Sequence, residues 1–291
     1  MKNISSVLAT LLLLSAVSHQ VLAKSSVWKV SKGDDYIYLA GTVHILPPSE
    51  FPLPLEFDKA YKDADEIVLE VKLPADDDTT FQTKMMQALT YAGDTKISDF
   101  TSAQTYAQLE SYATSIGADM LMFEKFKPGL LLTMFTMMEA QRAGISGEGV
   151  DAYFNKRALQ DGKMLNHLET MDFQINMLAN MGKGYEDSFL KQNMEEFKAF
   201  KTLLLQLIAA WRIGDLEALN KLALEPMKKD PQSMKAILLD RNHNWIPLIE
   251  AMFTDENKEL VMVGAAHLVG QEGVISLLEK KGYTITQLSA K

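Results

Sequence analysis

Two short motifs in this sequence could carry chemistry, because each places a histidine three residues after a glycine. His44 follows Gly41 in "YIYLAGTVHILPP", and His267 follows Gly264 in "LVMVGAAHLVG". Each motif ends a run of apolar, β-branched and aromatic residues, which predicts a β-strand. The chain has only five histidines, so the same motif in two matching strand contexts indicates a shared site.

The pattern also indicates what such a site could do. A glycine at the carboxyl end of a strand lets the backbone turn sharply, and the histidine then stands at the sheet edge where α/β proteins bind ligands. Glu70 in "DEIVLEVKL" lies among the apolar residues of another predicted strand, where an ionised carboxylate is costly unless it is paired or bound to metal.

Together, His44, His267 and Glu70 form a set that can hold a catalytic divalent ion such as Mn²⁺, Co²⁺ or Zn²⁺ and leave a position open for water. For each residue alone, a structural role is equally open. A histidine at a strand end can be a hydrogen-bonded structural residue, and Glu70 can point from the solvated face of an edge strand.

The elements that must position these residues lie at the two ends of the chain. Strand patterns cover "SVWKV", "YIYLAG" and "DEIVLEVKL" near the N-terminus and "KELVMVGAAH" and "YTITQL" near the C-terminus. Between about residues 77 and 255 the apolar spacing is mostly helical. We therefore expect an α/β fold with a central mixed β-sheet built from N- and C-terminal strands and a large helical middle segment packed around it.

The first 23 residues predict a cleaved signal peptide. Lys2 is followed by the apolar run "VLATLLLLSAV" and by "VLA" directly before Lys24. The run is too short for a permanent membrane span, so we expect a periplasmic or secreted protein without a stable membrane anchor. Residues 24–291 contain no Gly/Ser or Pro linker, which predicts a single α/β domain.

The composition excludes several classes of function. A formal net charge of −9 argues against a nucleic-acid partner, whose affinity comes largely from Lys and Arg on phosphate. The absence of cysteine excludes disulfides, thiolate metal ligands and a cysteine nucleophile. "GISGEGVD" is glycine-rich but lacks the Lys-Ser/Thr continuation of a phosphate loop.

Four blocks of the sequence resemble, in order, the signature blocks of the TraB/GumN family, which is related to the Tiki metalloproteases and the erythromycin-esterase-like proteins. They are "YLAGTVHILPPSEFPLPLEFDKAYKDADEIVLEV", "GEGVDAYFNKRALQDGKMLNHLETMDFQINML", "DRNHNWIPLIEAMF" and "LVMVGAAHLVGQEGVISLLEKKGYTITQL". The "PLP" after His44 and the signal-like start are similar to the GumN-like bacterial branch. The resemblance is weakest over residues 75–140 and 183–235.

The resemblance implies an active centre made of the Gly-x-x-His pair and a strand glutamate. Residue by residue, the positions that match the family's motifs are Gly41 and His44, Glu70, Gly264 and His267, the pair Arg241 and Asn242, and Asp151, Arg157 and Glu169 in the "GVD…R…LE" block.

Because Tiki proteins are divalent-metal-dependent peptidases, the resemblance implies an extracytoplasmic metal-dependent hydrolase with a peptide or small-molecule substrate. His44, His267 and Glu70 would hold the metal. Arg241 would stabilise an oxyanion or hold a substrate carboxylate, and Glu70 or Glu169, if not a metal ligand, would be the general base.

Two alternatives stay open. A metal-independent, esterase-like hydrolase would use His44 as the base and Glu70 as its orienter. A protein of the same fold could also be a non-catalytic binding or regulatory protein.

Overall fold

A computed structural model describes residues 24–75, 77–197, 199–254 and 256–289. The predicted signal peptide, residues 1–23, lies outside the described residues. Within the described ranges, none of the helices combines the length and the apolar character needed to cross a membrane.

The strands of the described chain form one large sheet and one small one. They are β1 (Lys24–Lys32), β2 (Asp35–Thr42), β3 (Ile45–Leu46), β4 (Glu66–Val71), β5 (Gly147–Glu148), β6 (Met164–Glu169), β7 (Glu259–Gly264) and β8 (Thr284–Ser289). The large sheet has the order β6-β4-β7-β2-β1-β8, and β3 pairs with β5. β1 is antiparallel to β2 and β8, whereas β2, β7, β4 and β6 run parallel. The prediction of a mixed sheet built from both ends of the chain is confirmed.

Helices surround this sheet and fill the middle of the chain. They are α1 (Leu55–Asp63), α2 (Thr79–Leu89), α3 (Ala103–Ser115), α4 (Pro128–Arg142), α5 (Val150–Asp161), α6 (Met171–Asn180), α7 (Glu186–Phe197), α8 (Phe200–Ile213), α9 (Leu216–Leu219), α10 (Glu225–Met227), α11 (Pro231–Met234), α12 (Asp240–Ala251) and α13 (Val274–Lys280). Single π-helical segments at Asn220–Leu224 and Lys235–Leu239 join α9 to α10 and α11 to α12. A 3-10 helix, Ala265–Leu268, follows β7 and carries His267.

Strand β7 lies at the centre of the sheet and is buried on both faces. Leu260 and Met262 pack on the face covered by α1, α5 and α8. Val261 and Val263 pack on the opposite face, against α12 and α13. A central parallel strand covered by helices on both sides is expected to be continuously apolar, as "LVMV" is. A third core lies among α3, α4 and α7 around Phe135.

Strand β6 differs from the mostly helical expectation for the middle of the chain. It forms the outer edge of the sheet, parallel to β4, with Val71 opposite Glu169. The sequence "MLNHLE" contains no β-branched or aromatic residue, so its strand propensity is low. Pairing with β4 decides its conformation and brings Glu169 to the same edge as Glu70.

Candidate active site

The site lies at the carboxyl edge of the parallel part of the sheet. β2 and β7 end side by side, with Thr42 opposite Gly264. β4 and β6 end beside them, with Val71 opposite Glu169. Because neighbouring parallel strands end at the same edge, the residues on and after these four ends converge there.

Gly264 marks the point where three predicted site residues meet. Its backbone N–H donates to Glu70 Oε1 at 2.6 Å. A Cβ at this glycine would lie 3.3 Å from Glu70 Oε1, 3.6 Å from His267 Cδ2 and 3.8 Å from His44 Nε2. His267 Nε2 is 3.9 Å from Glu70 Oε1. The structure therefore brings His44, Glu70 and His267 around one small space.

Arg241 binds this cluster from α12, and its side chain is 5% exposed. Its Nε and Nη2 donate to Glu169 at 2.8 and 2.9 Å, and Nη2 also donates to Glu70 Oε2 at 2.6 Å. Its Nη1 donates to Ile237 O and to His267 Nε2, both at 3.1 Å. Since each of its five N–H groups has a protein acceptor, Arg241 positions the two glutamates and is not free to hold an oxyanion in this arrangement.

His267 is fixed from its other side by α12. Its Nδ1 lies 2.6 Å from Asn242 Oδ1, an atom that can only accept, so Nδ1 carries the proton and Nε2 presents its lone pair. Asn242 Nδ2 in turn donates to Glu272 O at 2.8 Å. The Trp245 ring lies 4.4 Å away, centroid to centroid. These partners fix both the tautomer and the orientation of His267.

His44 is oriented by Asp151 through a contact between two chain segments. Its Nδ1 lies 3.0 Å from Asp151 Oδ1, and 64% of its side chain is exposed. The β3–β5 pair holds the segments together, and the two glycines on the β5 side permit this close approach. A Cβ at Gly149 would meet His44 O at 2.2 Å, and one at Gly147 would meet Leu46 O at 2.4 Å. The glycine-rich "GEGVD" stretch therefore places Asp151 against His44.

The pKa values of Glu70 and His267 are both lowered, for different reasons. Burial acts to raise the pKa of Glu70, but the neighbouring His267, Arg241 and His44 and the Gly264 N–H outweigh it and hold the pKa at about 2. Burial lowers the pKa of His267 to about 3, with help from Arg241 and His44 and against Glu70. Glu70 is therefore ionised and His267 neutral at neutral pH.

The pKa of His44 moves the other way. The loss of water around the ring lowers it, but the hydrogen bond to Asp151 and the charges of Asp151 and Glu70 raise it to about 9. Because much of the His44 side chain is still in contact with water, the loss of water lowers its pKa only in part. The Asp151 carboxylate, at 3.0 Å, therefore decides that the pKa is raised. In the protein without metal, His44 is protonated at neutral pH.

A cavity of about 250 Å³ opens over this cluster. His44, Glu70 and Asp151 line it, together with Thr42 and Gln174, which motif reasoning missed. Gln174 is the fourth residue of α6, and its Nε2 donates to Glu169 Oε2 at 3.2 Å. Only its place in the helix that follows the Glu169 strand could have indicated it.

The remaining predicted site residues lie in supporting positions or elsewhere. Gly41 accepts a 2.7 Å hydrogen bond from Trp211 Nε1 at its carbonyl, so it supports the strand and does not face the cavity. Arg157 lies outside the cluster: it pairs with Asp58 at 2.5 Å and stacks 4.1 Å over Tyr61, which fastens α5 to α1.

The donor atoms suit a metal in part. His44 and His267 use their Nδ1 atoms for Asp151 and Asn242, the arrangement usual for metal-binding histidines, and keep Nε2 as the potential donor beside Glu70 Oε1. The Nε2 of His267, however, is engaged by Arg241. Across the described residues, no set of three or more His, Asp or Glu side chains is already arranged to hold an ion.

Comparisons with known proteins agree with the resemblance seen in the sequence. The model of the TraB/PrgY/gumN family matches residues 26–287. The chain is 24% identical over 254 residues to the uncharacterized protein YbaP of Escherichia coli (strain K12), covering 84% of this chain and 89% of that protein, and equally to YbaP of Shigella flexneri. It is 26% identical over 178 residues to a protein named Metalloprotease TIKI homolog from Amphimedon queenslandica, which covers 55% of this chain and 32% of that protein. No solved structure matches.

Proposed function

Since the chain belongs to the TraB/PrgY/gumN family, we propose that it is a hydrolase that cleaves peptide bonds outside the cytoplasm with the help of a divalent metal ion. The convergence of His44, Glu70 and His267 beside Gly264 carries this proposal. The partial similarity to a Metalloprotease TIKI homolog supports the reaction class. The signal-like residues 1–23 support the location.

Three residues would hold the ion, which we propose to be Mn²⁺, Co²⁺ or Zn²⁺. His44 and His267 would contribute Nε2, and Glu70 would contribute Oε1. For His267 to do so, Arg241 must give up its Nη1 bond to that nitrogen. When bound, a divalent ion supplies Lewis-acid chemistry and lowers the pKa of coordinated water from about 16 towards about 7.

The surrounding residues of the chain have separate tasks. A base with a pKa of about 2 is weak, so Glu70 is suited to hold charge and not to remove a proton. Asp151 accepts from His44 Nδ1 and so orients His44, whose Nε2 would then face the ion. Glu169 holds Arg241 and accepts from Trp245 Nε1 at 2.9 Å, so it is a positioning residue.

The first test measures the ion and the reaction together. Purified protein is stripped with a chelator, reloaded with Mn²⁺, Co²⁺ or Zn²⁺, and examined for metal content and for cleavage of a peptide library. We expect about one ion per chain, lost in His44→Ala and in His267→Ala. His243→Ala removes an exposed histidine of α12 that pairs with Glu272 and is expected to keep the ion. Glu70→Gln is expected to abolish cleavage.

Two outcomes would contradict the proposal. A folded wild-type protein that retains no ion would refute the metal, and equal cleavage by wild type and Glu70→Gln would refute the site.

One observation favours a second candidate, a hydrolase that needs no metal. Asp151 occupies His44 Nδ1 and Arg241 occupies His267 Nε2, so His44 could activate water directly, with Asp151 as its orienter in place of the expected Glu70. Because His44 must lose its proton to act as a base, cleavage in chelator would rise with pH towards about 9. Cleavage that disappears in chelator at every pH would exclude this candidate.

A further inference from the structure

The catalytic cavity is lined by two neutral polar side chains that the proposed chemistry does not use, Thr42 and Gln174. Both lie beside His44 and Glu70 in its lining. The five N–H groups of Arg241 all have acceptors within the protein, so Arg241 is not available to a substrate. A substrate that loses water on entering the cavity needs other hydrogen-bond partners there.

Glu169 fixes the direction in which the Gln174 amide faces. Gln174 Nε2 donates to Glu169 Oε2 at 3.2 Å, and the reverse orientation of the amide would place two acceptor oxygens side by side. Within the described ranges, Gln174 Oε1 has no hydrogen-bond partner and is not sealed from solvent. This half-buried side chain therefore presents an open acceptor in the cavity.

The hydroxyl of Thr42 is the second open group. Thr42 is only 3% exposed, and its hydroxyl forms no hydrogen bond with the described residues. It is not sealed from solvent, however, in the way that the unpartnered Glu56 Oε1 is. Because side chains alternate along β2, Thr42 projects on the face of the sheet where Leu69 and Met262 line the same cavity. The hydroxyl therefore opens into the cavity.

The size and the walls of the cavity limit what can lie between these two groups. Its volume of about 250 Å³ is below that of sites for drug-sized ligands, so it admits only a short part of a substrate. Val71, Leu73 and Met262 supply apolar wall. A neutral group with one donor and one acceptor, flanked by small apolar atoms, matches this lining, and a peptide group has this chemistry.

We propose that Thr42 and Gln174 bind a peptide group of the substrate. The Thr42 hydroxyl donates to its carbonyl oxygen, and Gln174 Oε1 accepts from its N–H. Gln174 makes the cavity prefer an amide to an ester, because an ester has no N–H and leaves the acceptor unpaired. The inference rests on the proposed function, since it takes this cavity as the place where the substrate lies.

Binding of two small probes to the chelator-treated protein tests the assignment without requiring cleavage. The probes are N-acetyl-L-alanine N-methylamide and N-acetyl-L-alanine methyl ester, which share their carbonyl groups and differ in one N–H. Ligand-observed NMR titration measures both affinities, and the same spectra show whether either probe is hydrolysed. We expect the wild type to bind the amide about tenfold more tightly than the ester.

Two variants separate the two contacts. Gln174→Met removes the acceptor and should bring the ratio of the two affinities to about one, a change that a merely structural role would not produce. Thr42→Val removes only the hydroxyl, so it should weaken both probes about tenfold and keep their ratio. Gln160→Met changes an exposed glutamine of α5 outside the cavity lining and should match the wild type.

The outcomes separate this inference from the proposed hydrolysis. No binding, equal affinity of the wild type for amide and ester, or an unchanged ratio in Gln174→Met would overturn the assignment of Gln174. Unchanged binding in Thr42→Val would overturn that of Thr42. A wild type that prefers the amide but cleaves no peptide with any of the three metals would refute the hydrolysis and support the binding assignment, whereas peptide cleavage without an amide preference would refute this inference alone.

Discussion

At the scale of single residues, Gly264 keeps open the space that the three site side chains share. Its backbone angles, φ −50° and ψ 134°, are available to any residue, so the strand itself does not require glycine there. What requires it is the distance of 3.3 Å from its missing Cβ to Glu70 Oε1. A methyl group would enter the small space between Glu70, His267 and His44.

Gly264→Ala is therefore expected to remove function and keep the fold. We predict that metal retention or peptide cleavage falls about 100-fold, because small displacements of reacting groups have effects of this size. The free energy of unfolding should change by less than about 1 kcal/mol.

Gly41→Ala provides the matched control. A Cβ there would lie 3.1 Å from Leu268 Cδ1 and 3.4 Å from Ala265 Cα, in the interior, so it should lower stability more than Gly264→Ala does. A Gly264→Ala protein that is as active as wild type would show that the shared space is not the reaction site.

At the scale of elements, Arg241 is the side chain that joins α12 to β4, β6 and the 3-10 helix carrying His267. Glu70 and Glu169 are 11% and 7% exposed, and each depends on the guanidinium for charge compensation. A buried carboxylate that loses its partner is strongly destabilising, whereas an exposed ion pair contributes little.

We predict that Arg241→Met lowers the free energy of unfolding by about 3–5 kcal/mol, because it leaves Glu169 buried without a cation and Glu70 with His44 alone. Urea denaturation measures the change. Adding Glu169→Gln to Arg241→Met should restore part of the loss, since one uncompensated charge is removed. Lys235→Met, which removes an exposed cation paired with Asp240, is the control and should have a small effect. Equal effects of the two single variants would mean that Arg241 does not hold these elements together.

At the scale of the whole molecule, the site groups make stability depend on pH in two windows. Glu70 and His267 have native pKa values of about 2 and about 3, below their ordinary values of 4.5 and 6.5. Between the native and ordinary values the unfolded chain binds more protons, so stability falls as pH falls. His44, raised from 6.5 to about 9, contributes stability that is present below pH 6.5 and lost as pH rises through 9.

We predict that the free energy of unfolding of the chelator-treated protein is greatest near pH 6.5 and declines on both sides. Urea titrations at a series of pH values measure it. His267 alone contributes at most about 1.4 kcal/mol per pH unit. His267→Gln should therefore flatten the curve between pH 6.5 and 4.5, where Glu70 does not yet titrate. An unchanged slope in that variant would show that His267 is not held neutral by burial.

Much of the fold could be predicted from the sequence because its signals are local. "YIYLAG", "DEIVLEV" and "ELVMVG" are mostly apolar runs of strand length. Strands of this kind are expected in a sheet whose two faces are both covered by helices. The helical middle segment likewise shows apolar spacing of three and four residues. Strand β6 is only weakly indicated by the sequence, because its residues have no strong preference for a strand and only pairing with the edge of β4 gives them one.

The sequence by itself determined which residues could act: two histidines after strand-ending glycines and a glutamate inside an apolar strand, a pattern that depends only on local backbone and burial. The tertiary structure alone decided their partners. It placed Asp151 against His44, and Asn242 and Arg241 against His267. Arg157 lies on the same helix as Asp151 but contacts α1 instead of the site. The reason is physical: hydrogen bonds and ion pairs depend on distances of about 3 Å, and such distances between residues separated by 25 to 107 positions exist only after the sheet has formed.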